Sequence, residues 1–298
     1  MSGRQRWARA GLVAIVSVAA VEWGVSAFVY RSRITHADLD AARQAIDETA
    51  PVWLATDWLG PRARMTIPAL ADLSSVARAD LRGVPRYAVL GVDAAWSDAL
   101  QADNEDMPPP RLMGEQTFGI LTLSTYEQPA AGALTWDLLA DPRAIEVEIG
   151  GDRCKGQARR WRCTLGEVEL RTAEIDFRPR RCVSTNGDDG VPVRIVAAGV
   201  PTGNVLRGHV GFAGFNARLR SDAAAEVTVT IDGRASSRFV FTDAQGWAPF
   251  AVAVTPGVHD IAVQVVTSTR GTWDGGGYEP GKPHEPCLEL RSLQEDGA

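Results

Sequence analysis

The chain has 298 residues, enough for one large or two modest domains. It carries 31 Lys and Arg against 37 Asp and Glu, a formal net charge of −6, with no extended basic run beyond the first residues; this argues against a nucleic-acid face built on phosphate neutralisation. The 29 Gly and 17 Pro, in a chain that is 45% hydrophobic, favour turn-rich β structure over a helical bundle.

Arg4, Arg6 and Arg9 precede an apolar stretch over residues 10–30, which is closed by Arg31 and Arg33. That is about the length a helix needs to cross a bilayer, and Trp7 and Tyr30 stand where aromatic belts form. The spacing predicts a single membrane-spanning helix with its N-terminus inside, within an anchor segment 1–33. Glu22 lies in mid-span, where an ionised carboxylate costs a few kcal/mol, so it is expected to be protonated or to face a partner helix. Val18-Ala19-Ala20 resembles a small-residue cleavage site, which makes a cleaved signal the alternative, with a buried soluble helix a third reading. Anchor or signal, either one exports residues 37–298.

Residues 34–100 read as a small α/β unit. A helix is expected over 37–49 with Thr35 as its cap, a strand over 52–56, and a turn at Asp57-Trp58-Leu59-Gly60-Pro61-Arg62. A second helix is expected from Thr66 to about Arg78, then a strand over 86–92, giving a partial parallel sheet. Residues 101–117 read as an acidic linker made stiff by Pro108-Pro109-Pro110.

From 118 to 292 the pattern is that of a β-sandwich, with 293–298 a tail. Strands are expected over 118–126, 144–149, 167–177, 192–197, 206–212, 227–231, 237–241, 247–254, 258–266 and 287–290. Asp232-Gly233 between alternating segments is the clearest hairpin turn, because both central residues of a primed turn need positive φ. Asn186-Gly187 reads as another turn, and residues 270–286 as a long loop. The fold class is therefore mainly β: an N-terminal transmembrane helix, a small α/β unit, and a jelly-roll-like sandwich.

The four cysteines, Cys154, Cys163, Cys182 and Cys287, form no C-x-x-C pair and have no histidine at ligand spacing, so no metal site is expected. They allow three disulfide connectivities; Cys154–Cys163 with Cys182–Cys287 is preferred. The first would close a short hairpin with Trp161 near its base. The second would join the first and last strands of the sandwich. Loop closure makes them worth about 2.7 and about 4.8 kcal/mol.

Catalytic signatures are missing from the sequence. There is no G-x-S-x-G elbow. His259 and Asp260 are adjacent and would point to opposite faces of a strand, poor geometry for a base and its orienting acid. His209 reads as a satisfied strand histidine and Trp247 as a core residue. Asp188 and Asp189 read as an acidic turn, with oxygen ligands for a Ca²⁺ ion the alternative. Sugar recognition needs aromatic faces flanked by polar groups, and two clusters offer them. One is Trp273 and Tyr278 in the long loop, with Arg270 near them; the other is Asp57, Trp58 and Arg62 at a strand end.

Asp57-Trp58 with Pro61 and Arg62, Cys154 followed by Trp161-x-Cys163, Phe177-Arg178-Pro179-Arg180-Arg181-Cys182, and Gly246-Trp247 ahead of Cys287 form a set. Together, over residues 37–291, they resemble the extracytoplasmic C-terminal region of bacterial membrane glycosyltransferases of the protein-mannosyltransferase-like kind. The resemblance implies a free-standing relative without the multi-span catalytic part, since only one apolar span is present. The expectation is a non-enzymatic, cofactor-free protein of the bacterial inner membrane, held through residues 10–30, with its bulk in the periplasm or outside. Its partner would be envelope glycan or a membrane glycosyltransferase. A scaffolding subunit with no small ligand is the alternative, and an envelope hydrolase a third reading.

Overall fold

The computed structural model describes residues 16–25, 33–47, 49–56, 59–70, 77–78, 80–92, 104, 107–128, 132–176, 178–188, 190–213, 224–268 and 285–295. Of the expected span, residues 16–25 are helical with every side chain exposed, including Trp23 at 77%. The rest of that span lies outside the described residues, and no described helix is long and apolar enough to cross a membrane.

The first unit opens with α1 (His36–Ala45), capped reciprocally by Thr35 and Asp38 as the sequence predicts. Strand β1 (Val52–Leu54) pairs in parallel with β2 (Arg86–Val92), also as predicted. Between them the expected turn and the expected start of the second helix are overturned, while residues 71–76 of that helix lie outside the described residues. Helix α2 runs from Gly60 to Thr66, so Gly60-Pro61-Arg62 of the expected turn open a helix and Thr66 ends one; Asp57 and Trp58 lie outside the described residues. Pro61 occupies the first turn, where its fixed φ suits a helix. Pro68 then forces Ile67 to extended values, φ −107° and ψ 102°, which stops the helix one residue earlier.

The expected linker also gives way. β3 (Arg111–Phe118) and β4 (Leu121–Glu127) form a hairpin that completes a four-stranded sheet in the order β1-β2-β4-β3. The strand expected at 118–126 therefore belongs to the first unit and not to the sandwich. β2 is buried on both faces: Ala88 and Leu90 pack under α1 and α2, while Tyr87 and Val89 pack with Trp53, Leu81 and Val84 on the other side.

The sandwich has more strands than the sequence predicts. Its eight-stranded sheet runs β16 (Ala248–Ala253), β13 (Val205–Phe212), β18 (Pro286–Gln294), β11 (Arg178–Gly187), β10 (Gly166–Ile175), β9 (Arg160–Cys163) and β8 (Lys155–Gln157), with β5 (Ala133–Asp137) also on β18. Its six-stranded sheet runs β15 (Arg234–Thr242), β14 (Ala224–Ile231), β17 (Gly257–Ser268), β12 (Val193–Thr202), β6 (Ile145–Ile149) and β7 (Asp152–Arg153). Val168, Leu206, Leu288 and Leu290 of the first sheet meet Val147, Ile195, Val227 and Val263 of the second in one core. Asp232 and Gly233 take φ of 50° and 75°, the primed turn that their sequence demands. Asn186-Gly187 is the end of β11 instead of a turn. Both preferred disulfides are present. Cys182 lies on β11, well inside the sandwich order and not on its first strand, but β11 does neighbour β18.

Candidate functional site

Of the residues singled out for sugar contact, Asp57, Trp58, Arg270, Trp273 and Tyr278 lie outside the described residues. Arg62 is described; it stands exposed on α2 and lines neither of the clefts below. Asp188 is described and Asp189 is not. Among the described residues no group of three His, Cys, Asp or Glu is placed to hold a metal ion.

Three other places in the structure bring polar side chains together. The first is where the chain changes sheets. Gly150 and Gly151, with φ of 61° and 90°, turn β6 into β7. β7 pairs with β6 in the six-stranded sheet, and β8 pairs with β9 in the eight-stranded one, so the crossing falls at Cys154. The Cys154 N–H donates to the Val147 carbonyl at 2.8 Å, and its sulfur is bonded to Cys163, which pins the crossing from both sides. Beside it opens a cleft of about 250 Å³ lined by Arg143, Glu146, Arg153, Gln157 and Trp161 among others. Trp161 is only 5% exposed and belongs to the core, so it forms a fixed wall. Gly156 lies against that indole: a Cβ there would come within 2.7 Å of Cδ1 and Nε1, so any side chain at 156 would displace the ring. Arg153 is ion-paired with Glu146 at the rim. A second hollow, of about 260 Å³, is lined by Arg162, Thr164, Glu167 and Asn186 on the far side of Cys163. The cleft offers donors, acceptors and an apolar wall, which suits a small neutral polar ligand.

The second place is a buried ionic layer on the outer face of the eight-stranded sheet. Residues 77–78 and 80–85 lie between the two units, and there Asp80 meets Arg291 at 2.8 Å. Arg291 also holds Glu289 at 2.9 Å, Glu289 accepts a contact from His209 Nδ1 at 2.7 Å, and Arg82 reaches Asp80 at 3.5 Å and Glu295 at 3.3 Å. His209 stacks on Trp247 at 5.6 Å, and the Arg180 guanidinium lies 6.0 Å from the same ring. Trp247, read from the sequence as a core residue, packs partly buried against the small apolar cluster of Ala173, Ile175, Cys182 and Cys287 and not between the two sheets. Burial alone would raise the Asp80 and Glu289 carboxyls; attraction to Arg291, with help from His209, overcomes it and holds both below their ordinary range. Burial raises Asp137, beside the same layer, despite the N–H of Leu139.

His209 and Glu289 have the spacing of a base and its orienting acid. Yet the side chains of Asp80, Glu289 and Arg291 are 0%, 3% and 4% exposed and bond to one another. A substrate would have to break that network to reach any of them, so the layer is a joint between the units and not a reaction centre.

His259 makes a third, exposed cluster. Its Nδ1 lies 2.7 Å from Asp232 and its Nε2 3.0 Å from the Thr255 carbonyl, and only imidazolium can donate to both. The Asp232 hydrogen bond raises the His259 pKa above its ordinary 6.5. A raised histidine contributes stability that is full below its unfolded value and fades as pH rises through the folded one. We expect an NMR titration of the His259 ring to have its midpoint above that of His259 in an Asp232→Asn variant. Equal midpoints would show that the clasp does not form in solution.

No family model matches the chain, and no curated protein does. Solved structures give distant matches only. A two-domain structure, the CBM51-2 module with GlcNAc and the INT domains of Clostridium perfringens ZmpB, is 17% identical, covering 42% of this chain and 25% of that one, at a TM-score of 0.28. The CBM51 module of Clostridium perfringens GH95 with methyl-galactose is 13% identical over 49% of this chain and 99% of that one, at 0.29. A family 35 carbohydrate-binding module of Clostridium thermocellum is 13% identical over 49% and 92%, at 0.28. The chain thus spans about a quarter to a third of the two ZmpB structures that it matches first. At TM-scores near 0.3 the likeness carries no argument about function.

Proposed function

We propose that this chain is a membrane-tethered, extracytoplasmic, non-catalytic protein whose sandwich binds an envelope glycan in the cleft beside Trp161. The cleft carries the reading: a fixed indole wall ringed by Arg143, Glu146, Arg153 and Gln157 is chemically matched to a sugar, which has an apolar face and hydroxyls that both donate and accept. The compartment is supported by the cysteines, all four of which are in disulfides; such bonds persist in oxidising surroundings. The tether is supported by helix 16–25, whose large apolar side chains Val16, Val18, Val21, Trp23 and Val25 are exposed. Neither histidine pair serves catalysis on this reading, since one is sealed in the joint and the other clasps a turn.

The test uses the full chain in membranes of its host and then in detergent. We expect it to stay in the membrane pellet through alkaline extraction, and the solubilised protein to bind members of an array of neutral glycans. Arg143→Ala with Gln157→Ala is expected to weaken that binding roughly tenfold, the loss of two ligand hydrogen bonds. A chain released by carbonate would remove the tether. Unchanged binding in the double variant would move the site elsewhere.

A further inference from the structure

The strand registers of the six-stranded sheet align one residue from each strand into a single row on its outer face. Arg238 pairs with Thr228, Thr228 with Gln264, Gln264 with Arg194, Arg194 with Glu148, and Glu148 with Arg153. Their chain neighbours Val227, Val229, Val263, Val265, Val193, Ile195, Val147 and Ile149 all point into the core, so the row points outward. At about 4.8 Å per strand the row is on the order of 24 Å long. It ends at Arg153, which lines the cleft beside Trp161.

We propose that this outer face is a platform for an extended, uncharged polysaccharide that runs across the strands and ends in the cleft. The inference rests on the glycan reading of that cleft and names the kind of glycan. Three guanidiniums on the face are each neutralised by a carboxylate: Arg238 by Glu226, Arg194 by Glu148 at 3.0 Å, and Arg153 by Glu146. With its charges cancelled in place, the face has no net attraction for a phosphate-bearing or sulfated polymer. Its centre, Thr228 and Gln264 between Arg238 and Arg194, presents a hydroxyl and an amide and lacks the aromatic residues enriched at protein interfaces. Hydroxyl, amide, guanidinium and carboxylate groups instead alternate donors with acceptors, which is what a line of sugar hydroxyls requires. The long side chains in the row are held by ion pairs and no lysine lies among them, so less side-chain freedom is lost on binding. A monosaccharide would use the cleft alone; the row has use only for a chain.

Calorimetric titration of the wild-type protein with the best neutral glycan from the array, prepared in lengths from disaccharide to hexasaccharide, tests this directly. Affinity is expected to climb with length and then level off. Thr228→Val with Gln264→Leu, far from the cleft, is expected to weaken the hexasaccharide roughly tenfold and leave the disaccharide unchanged. Affinity independent of length, or a hexasaccharide that binds the variant and the wild type alike, overturns the platform while the cleft reading stands. Preference for dextran sulfate over the neutral chain also overturns it. If no glycan on the array binds, both fall together.

Discussion

Arg291→Met is expected to remove about 3–5 kcal/mol of folding stability, because it takes the main cation from two buried carboxylates at once. Arg291 is the shared partner of Asp80, at 2.8 Å, and of Glu289, at 2.9 Å, and all three side chains are almost wholly buried. The sign of the pH dependence should invert as well. In the wild type both carboxyls are depressed, so their contribution is full above the ordinary carboxylate range and is lost only as pH falls through the lower folded values. Without Arg291, burial, the largest influence on both carboxyls, is opposed only by the weaker pull of Arg82 and His209, and both pKa values move up. Each carboxyl then costs stability as pH rises through its raised folded value, so the variant should gain stability in mild acid where the wild type does not. Asp80→Asn with Glu289→Gln on the variant background should return part of the loss. Urea unfolding at neutral pH and in mild acid reads all three effects. A loss near that of a surface ion pair, below about 1 kcal/mol, would mean that water reaches the layer.

The second large effect belongs to the cysteines. Cys182 and Cys287 are 105 residues apart, and Cys154 and Cys163 are nine apart. Cross-linking a longer loop removes more freedom from the unfolded chain, so replacing the long-range pair by alanine should cost about 4.8 kcal/mol against about 2.7 for the short one. Cys182 and Cys287 are also fully buried beside Trp247, so their loss disturbs packing in addition. Urea midpoints for the two double-alanine variants under identical conditions test the ranking. A short-range variant that proves the less stable would refute the loop argument and point to the sheet crossing at Cys154 as the greater constraint.

What the sequence made legible follows from how burial patterns a strand. The segments around 145–149, 205–212, 224–231 and 257–268 have one face in the shared core, so apolar residues recur every second position and are easily read. β3 is nearly exposed throughout, has no alternation, and follows three prolines, which is why it reads as linker. β11 is hidden by Pro179 and its arginines; the proline is tolerated because β18 pairs with β11 only at Val183 and Ser184, leaving that end with a single partner, β10. The ionic layer was out of reach for another reason. Glu289 and Arg291 alternate with Leu288 and Leu290, the pattern of an ordinary solvated face. Only the passage of residues 77–78 and 80–85 over that face makes it an interior. The cleft was half legible: the disulfide and the place of Trp161 were expected, but not the change of sheets that opens a space between them.

β18 is the last described strand in the chain, yet it lies inside its sheet, between β13 on one side and β11 and β5 on the other. A chain emerging N-terminus first therefore cannot close its larger sheet until residues 286–294 arrive to fill the gap. Until then the apolar interior faces of β11 and β13 have no common neighbour, and Asp80 waits without its arginine. The hairpin disulfide joins cysteines nine residues apart and can close locally, whereas Cys182 has no native partner until Cys287, 105 residues later, has been made. Closure of the larger sheet is thus timed by β18, and any mispairing of Cys182 before Cys287 arrives would lower the yield of native protein.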